Sequence, residues 1–152
     1  MIRAMNREDL PAVIEVVNST GLFPGEMLNG MASEALDGKS ETERWYVLED
    51  GHPIGVVYFA PERMTEGTWN LYLIAIHADR QGTGEGSKLI AHVERKLADE
   101  GHRILLVETS GNREFEQTRQ FYRNNGYTEE ARIREFYTTG EDKIVFWKKL
   151  GK

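Results

Sequence analysis

The chain contains no cysteine among its 152 residues. This absence excludes disulfides, thiolate metal sites and a cysteine nucleophile, and it fits a reducing cytoplasmic setting. The four histidines have no spacing typical of metal ligands, so we expect no metal centre. No window approaches the ~18 apolar residues that a membrane span requires, and the N-terminus lacks the apolar core of a signal peptide. We therefore expect a soluble, cytoplasmic protein that does not act at a membrane.

Basic residues are also in the minority, with 19 Lys and Arg against 25 Asp and Glu and a net charge of -6. Binding to nucleic acid needs a basic surface that neutralises phosphates, so this charge argues against a nucleic-acid partner. A chain of 152 residues suits one domain and needs no stabilising cross-links to fold. We predict a single domain over residues 1–152.

The most informative stretch runs from Leu71 to Ile90 and reads LYLIAIHADRQGTGEGSKLI. Its first six residues are apolar on both alternating faces, which is typical of a central strand covered on both sides. Glycines then alternate at 82, 84 and 86, so the backbone can adopt positive φ and approach a ligand closely. A helix follows, and its unpaired N–H groups and positive dipole end favour a phosphate or pyrophosphate. The stretch predicts an anion site, the alternative being an ordinary turn between core elements.

Two common phosphate-binding motifs do not fit this glycine run. A Walker loop needs Lys and then Ser or Thr directly after its second glycine, and the spacing here is different. The dinucleotide fingerprint needs Gly-x-Gly-x-x-Gly, whereas this run is Gly-x-Gly-x-Gly and lies in mid-chain.

Periodicity and turn residues predict a mixed α/β order along the whole chain. The strand, helix and strand between 69 and 108 imply a parallel pair joined by a right-handed crossover. The predicted strands cover 2–4, 45–48, 54–59, 69–76, 103–108, 127–136 and 144–150, and the predicted helices begin at the capping residues Asn6 and Asn112, near Pro24 and at Gly84.

Gln81, Gly84 and Gly86 follow the apolar strand in the order Gln-x-x-Gly-x-Gly, which resembles motif A of the GCN5-related N-acetyltransferases (GNAT). The stretch from Phe121 to Tyr127 looks like their motif B, Tyr-x-x-x-Gly-Phe, with Tyr127 in place of the usual Phe. The order of elements is also similar over the whole length. The resemblance implies an α/β fold with a mixed central sheet of about six to seven strands, helices on both faces and splayed central parallel strands.

The resemblance also implies an enzyme that transfers an acetyl group from acetyl-CoA to a primary amine without a metal. It assigns Tyr122 as the general acid, because a phenol of pKa ~10 stays protonated and can donate to a leaving thiolate. The alternative is that Tyr122 only packs between helix and sheet. The cofactor-binding residues implied are Ile74, Ala75 and Ile76 for pantetheine, and Gln81, Gly82, Thr83, Gly84, Glu85, Gly86 and Ser87 for the pyrophosphate.

Three positions depart from the family pattern. Asn70 stands where many members carry a Glu that acts as general base, so Glu108 is the substitute candidate, directly or through water. The alternative for Glu108 is a solvated strand end or a helix-capping partner. Glu85 brings a negative charge to the phosphate loop unless it faces solvent or pairs with Lys88. Phe115 replaces an Asn that often contacts coenzyme A.

The acceptor is open at this stage. The leading hypothesis is the amine of a small molecule, favoured if the segment from Phe23 to Leu36 is ordered. The alternatives are a protein N-terminus or lysine, and a noncatalytic sensor that binds acyl-CoA. The family's members often dimerise, and the apolar stretch from Ile144 to Trp147 allows a homodimer through C-terminal strands.

Overall fold

The structure is a computed structural model that describes residues 1–38 and 42–151. Within these residues seven strands form one sheet in the order β1-β2-β3-β4-β5-β7-β6. The strands are β1 (Ile2–Ala4), β2 (Arg44–Glu49), β3 (Pro53–Pro61), β4 (Thr68–Ile76), β5 (Ile104–Ser110), β6 (Thr128–Thr138) and β7 (Glu141–Lys149). The helices are α1 (Leu10–Thr20), α2 (Leu28–Leu36), α3 (Glu85–Asp99) and α4 (Glu116–Asn124). The predicted α/β class with a mixed sheet is confirmed.

The chain divides into two compact units. The first contains Met1–Pro61 and Tyr72–Val93, and the second contains Glu62–Leu71 and Glu94–Lys152. The single domain predicted over residues 1–152 stays a prediction. Among the described residues, no helix is long and apolar enough to span a membrane.

The first unit is built on the hairpin of β2 and β3 and on helices α1 and α2. The Asp-Gly turn forms as predicted, with Gly51 at φ +77. Before α1, the N–H of Asn6 donates to the carboxylate of Asp9 (2.8 Å), which also pairs with Arg3 (2.7 Å). The core cluster beneath the helices is apolar and consists of Met5, Val13, Val16, Val17, Leu28, Ala32, Trp45, Val47, Val56 and Ala75.

The second unit contains the predicted parallel pair, in which Thr68–Leu71 of β4 is in register with Ile104–Val107 of β5. Strand β7 pairs antiparallel with β5 on one side and with β6 on the other. This corrects the expected dimer contact, because both edges of the Ile144 to Trp147 stretch are used within the chain. The homodimer itself stays a prediction.

The sequence also predicted the start of α4 and the end of α2. The side chain of Asn112 makes no capping bond; instead the Oγ of Ser110 accepts the N–H of Asn112 (3.1 Å). The turn predicted at residues 37–40 after α2 lies partly outside the described residues, since 39 and 40 are not described.

Candidate active site

The glycine loop of the first unit has the backbone that its sequence predicts. Gly82 and Gly84 have φ of +84 and +83, and a Cβ added at either position would meet nothing within 4 Å. Helix α3 begins directly after them, and the N–H of Lys88 donates to the carbonyl of Gly84 (3.1 Å) in its first turn. Residues 81–84 are exposed. The loop therefore places exposed backbone at the positive end of a helix of 15 residues.

Two side chains of the loop donate hydrogen bonds to nearby backbone carbonyls and so fix the loop in place. The amide of Gln81 donates to the carbonyl of Ile76 (3.0 Å), and the hydroxyl of Thr83 donates to the carbonyl of Arg80 (2.9 Å). Glu85 pairs with Lys88 at 3.7 Å, one of the two arrangements expected for it. The carbonyl of Ile76 therefore already accepts one hydrogen bond from within the chain.

Tyr122 lies in the second unit on α4 and is only 4% exposed. Its ring packs against Phe146 (5.5 Å between centroids) and Tyr127 (6.0 Å). Burial raises the pKa of the Tyr122 hydroxyl, and the nearby Tyr137 raises it further. No residue in the described part of the chain forms a hydrogen bond with this hydroxyl. Tyr122 therefore packs and also presents a neutral, unengaged proton donor.

Glu108 of β5 is the centre of a hydrogen-bonded cluster. Its Oε1 pairs with Nζ of Lys143 on β7 (2.8 Å), and its Oε2 accepts a hydrogen bond from the amide of Asn70 on β4 (2.5 Å). The same amide also donates to Oε1 of Glu62 (2.8 Å). We call Glu62, Asn70, Glu108 and Lys143 the Glu108 cluster. Glu108 is thus neither a solvated strand end nor a helix cap, the two alternatives that its sequence position allowed.

Comparison with protein families identifies the chain. Residues 41–129, more than half of its length, match the family described as the acetyltransferase (GNAT) domain. The chain belongs to the GNAT family. It is accordingly an acyl-CoA-dependent N-acetyltransferase, as the resemblance of its two motifs implied.

Solved structures agree with this family. A protein from Desulfovibrio desulfuricans assigned to the GNAT acetyltransferases is 32% identical, covers 99% of each chain and has a TM-score of 0.92. The ribosomal-protein-S18-alanine N-acetyltransferase from Escherichia coli is 21% identical over 100% of this chain and 94% of its own, with a TM-score of 0.79. An aminoglycoside 6'-N-acetyltransferase complexed with coenzyme A is 15% identical over 100% and 98%, with a TM-score of 0.80. These last two show the shared fold alone. A search of curated proteins finds no match.

The GNAT fold of this chain includes an irregular hairpin between β6 and β7. Ile133 pairs with Lys143 and Thr138 with Glu141, so residues 134–137 bulge out opposite Asp142. Within the bulge Glu135 has φ +52, an unusual conformation for a residue with a side chain. The carboxylate of Asp142 holds it by accepting the N–H of Glu135 (2.9 Å) and a hydrogen bond from Arg132 (2.5 Å). The bulge is therefore stabilised by specific polar contacts.

The bulge brings two aromatic residues to the Glu108 cluster. The ring of Phe136 lies 3.8 Å from Nζ of Lys143. Tyr137 is next to it, and its pKa is raised to about 12 by burial and by the charges of Glu108 and Glu141. Phe136 and Tyr137 are still 51% and 45% exposed. They form the accessible side of the cluster in this GNAT enzyme.

The structure also shows which residues the sequence missed. Lys143 and Glu62 had no motif to mark them, since their role depends on pairing between strands far apart in the chain.

Among residues 1–38 and 42–151, no group of three His, Asp or Glu side chains is arranged to hold a metal. Phe115, which replaces the Asn found in many GNAT members, is half-buried at the turn before α4.

Proposed function

We propose that this GNAT enzyme transfers the acetyl group of acetyl-CoA to the primary amine of a small molecule by direct attack. The observation that supports it most strongly is the neutral, unengaged hydroxyl of the buried residue Tyr122, in the motif where the family places its general acid.

The cofactor is bound first by backbone groups. N–H groups of the loop from Gln81 to Ser87 and the N-terminus of α3 bind the pyrophosphate, which needs the positive φ of Gly82 and Gly84. Pairing with Lys88 offsets the negative charge that Glu85 would otherwise present to the anion. Backbone groups of β4 at Ile74, Ala75 and Ile76 pair with pantetheine as an added strand.

Acetyl transfer then needs three proton movements. The amine nitrogen bonds to the thioester carbonyl carbon, the carbon–sulfur bond breaks, the sulfur takes a proton from Tyr122, and the new amide nitrogen gives up its extra proton to solvent. The attacking nitrogen must have lost a proton, because an ammonium has no lone pair. Glu108 is the acceptor of that proton, directly or through water, since Asn70 lacks a carboxylate. Tyr122 regains its proton from solvent before the next turnover.

Two features support a small acceptor. The segment from Gly25 to Leu36 is ordered and helical, the condition that favours a small acceptor, and Leu28 and Ala32 are fully buried. Glu141 adds a carboxylate near Tyr137 that attracts an incoming ammonium. A peptide N-terminus is the second candidate, because the accessible rings of Phe136 and Tyr137 also suit an extended partner.

Thiol release from acetyl-CoA distinguishes these functions. The panel contains polyamines, amino acids, aminoglycosides and peptides with free N-termini. We expect release that depends on a small amine and falls at least about tenfold in Glu108→Gln. Release with peptides alone would favour the second candidate. Saturable binding of acetyl-CoA without release for any amine would instead indicate a noncatalytic sensor.

A further inference from the structure

The Glu108 cluster joins three neighbouring strands of the sheet, β4, β5 and β7. Asn70 is completely buried, Lys143 is 8% exposed, and both direct their donors at one carboxylate. The two oxygens of Glu108 each receive a different donor, at 2.8 and 2.5 Å. A carboxylate held at both oxygens has little freedom to rotate, so its orientation is set by its two neighbours.

Lys143 is itself held in place. Its ammonium lies over the ring of Phe136, which the bulge of β6 brings to within 3.8 Å. A buried ion pair of this kind often adds no stability compared with apolar residues of the same volume. Fixing the direction of Glu108 is therefore the effect that best accounts for the pair.

Asn70 has a further feature that separates it from an ordinary core amide. Its Oδ1 atom is enclosed and has no hydrogen-bond partner in the described part of the chain. Leaving such an acceptor unpaired costs about 1–3 kcal/mol. The amide group is thus oriented toward the carboxylates of Glu108 and Glu62 at the expense of its own oxygen.

We propose that Lys143 and Asn70 are positioning residues for Glu108. The carboxylate of Glu108 on β5, held from both sides, then takes the place of the carboxylate that many GNAT members carry on β4 at the position of Asn70. This inference rests on the proposed role of Glu108. Lys143 sets the direction of the carboxylate from β7, and Asn70 sets it from β4. Neither residue exchanges protons with the substrate; each acts through Glu108.

The test removes Lys143 and compares it with a matched lysine. Lys148 also lies on β7 and pairs with a carboxylate, that of Glu94 (3.0 Å), but it has no contact with Glu108. We expect Lys143→Met to lower kcat about tenfold to a hundredfold while the KM for acetyl-CoA is unchanged, since small misplacements of a reacting group have effects of this size. Lys143→Arg recovers at least part of kcat, and Lys148→Met leaves it within about twofold of wild type.

A double-mutant cycle with Glu108→Gln shows whether Lys143 acts through Glu108. If it does, the double variant has the same kcat as Glu108→Gln alone, within about threefold. The inference would be overturned if the losses of kcat in the two single variants multiplied in the double variant. It would also be overturned if Lys143→Met kept wild-type kcat while Glu108→Gln was impaired. Either result would leave the proposed function intact. Wild-type kcat in Glu108→Gln would overturn the inference together with the proposed role of Glu108, while acetyl transfer to the amine would stand.

Lys143→Met leaves Glu108 without a counter-ion and folding can fail for that reason. Asn70→Ala keeps both charges, and we expect it to lower kcat by at least about fivefold at unchanged KM for acetyl-CoA. A folded Asn70→Ala with wild-type kcat would contradict the positioning role. Circular dichroism and the thermal shift by acetyl-CoA check that each variant is folded.

Discussion

The glycine loop makes a quantitative prediction about Gly84. This residue is exposed, its φ is +83, and an added Cβ would meet nothing within 4 Å. Replacing it with Ala therefore introduces no clash, and the only direct effect is on backbone conformation. Residues with a side chain disfavour this left-handed region by roughly 1–2 kcal/mol.

That conformational energy translates into affinity. In the free variant the exposed loop relaxes to negative φ, and its N–H groups then point away from the anion position. Binding must restore the positive φ, which costs the same ~1–2 kcal/mol. We therefore expect Gly84→Ala to raise the Kd for acetyl-CoA by roughly 5- to 30-fold.

Isothermal titration with acetyl-CoA measures this effect, and Gly101→Ala is the matched control. Gly101 follows α3, has φ +89 and also has nothing within 4 Å of an added Cβ, so the strain is the same but lies outside the loop. We expect its Kd to equal that of wild type. Equal affinity for wild type and Gly84→Ala would refute the assignment of the loop as the pyrophosphate site.

Three further outcomes follow from the charges and the pKa shifts. Because burial raises the pKa of Tyr122 above its ordinary value of 10.0, its acid form persists, and we expect kcat to show no loss from Tyr122 up to pH 10. Lys88→Met leaves Glu85 unpaired in the loop, so the Kd for acetyl-CoA should rise roughly threefold to fivefold at low salt and recover in high salt. The pKa of Asp142 lies below its ordinary value of 3.8, mainly because the N–H of Glu135 donates to the carboxylate and, to a smaller extent, because Arg132 does. Its ionised form therefore stabilises the fold above about that pH, and the stabilisation is lost as the pH falls through the lower folded pKa. The Tm difference between wild type and Asp142→Asn should be present at pH 7 and disappear in acid.

The strand, loop and helix from β4 to α3 could be predicted from the sequence because their signals are local. Glycines at 82 and 84 mark the positive φ values that the structure has, and the apolar run before them marks a central strand. Tyr122 was identifiable for the same reason, since its motif lies within one short segment.

The Glu108 cluster could not be predicted in the same way. Asn70, Glu108 and Lys143 are more than 30 residues apart from one another, and they meet only because β4, β5 and β7 are neighbours in the sheet. The placement of β7 between β5 and β6 is likewise a property of the whole sheet. Its apolar stretch gave no sign that both of its edges are paired.

The bulge of β6 had no local signal either. Positive φ is usually found at glycine, so the sequence did not mark Glu135 for it. Glu135 adopts positive φ because the carboxylate of Asp142 accepts its N–H. The aromatic pair of Phe136 and Tyr137 was visible in the sequence, but its place beside Lys143 depends on this one irregular turn.

The role of Tyr122 is tested most directly by measuring kcat and the Kd for acetyl-CoA together in Tyr122→Phe. The phenylalanine keeps the ring contacts with Phe146 and Tyr127 and removes only the hydroxyl. We expect kcat for an accepted amine to fall about a hundredfold or more while the Kd stays within about twofold of wild type. Wild-type turnover in this variant would contradict the account.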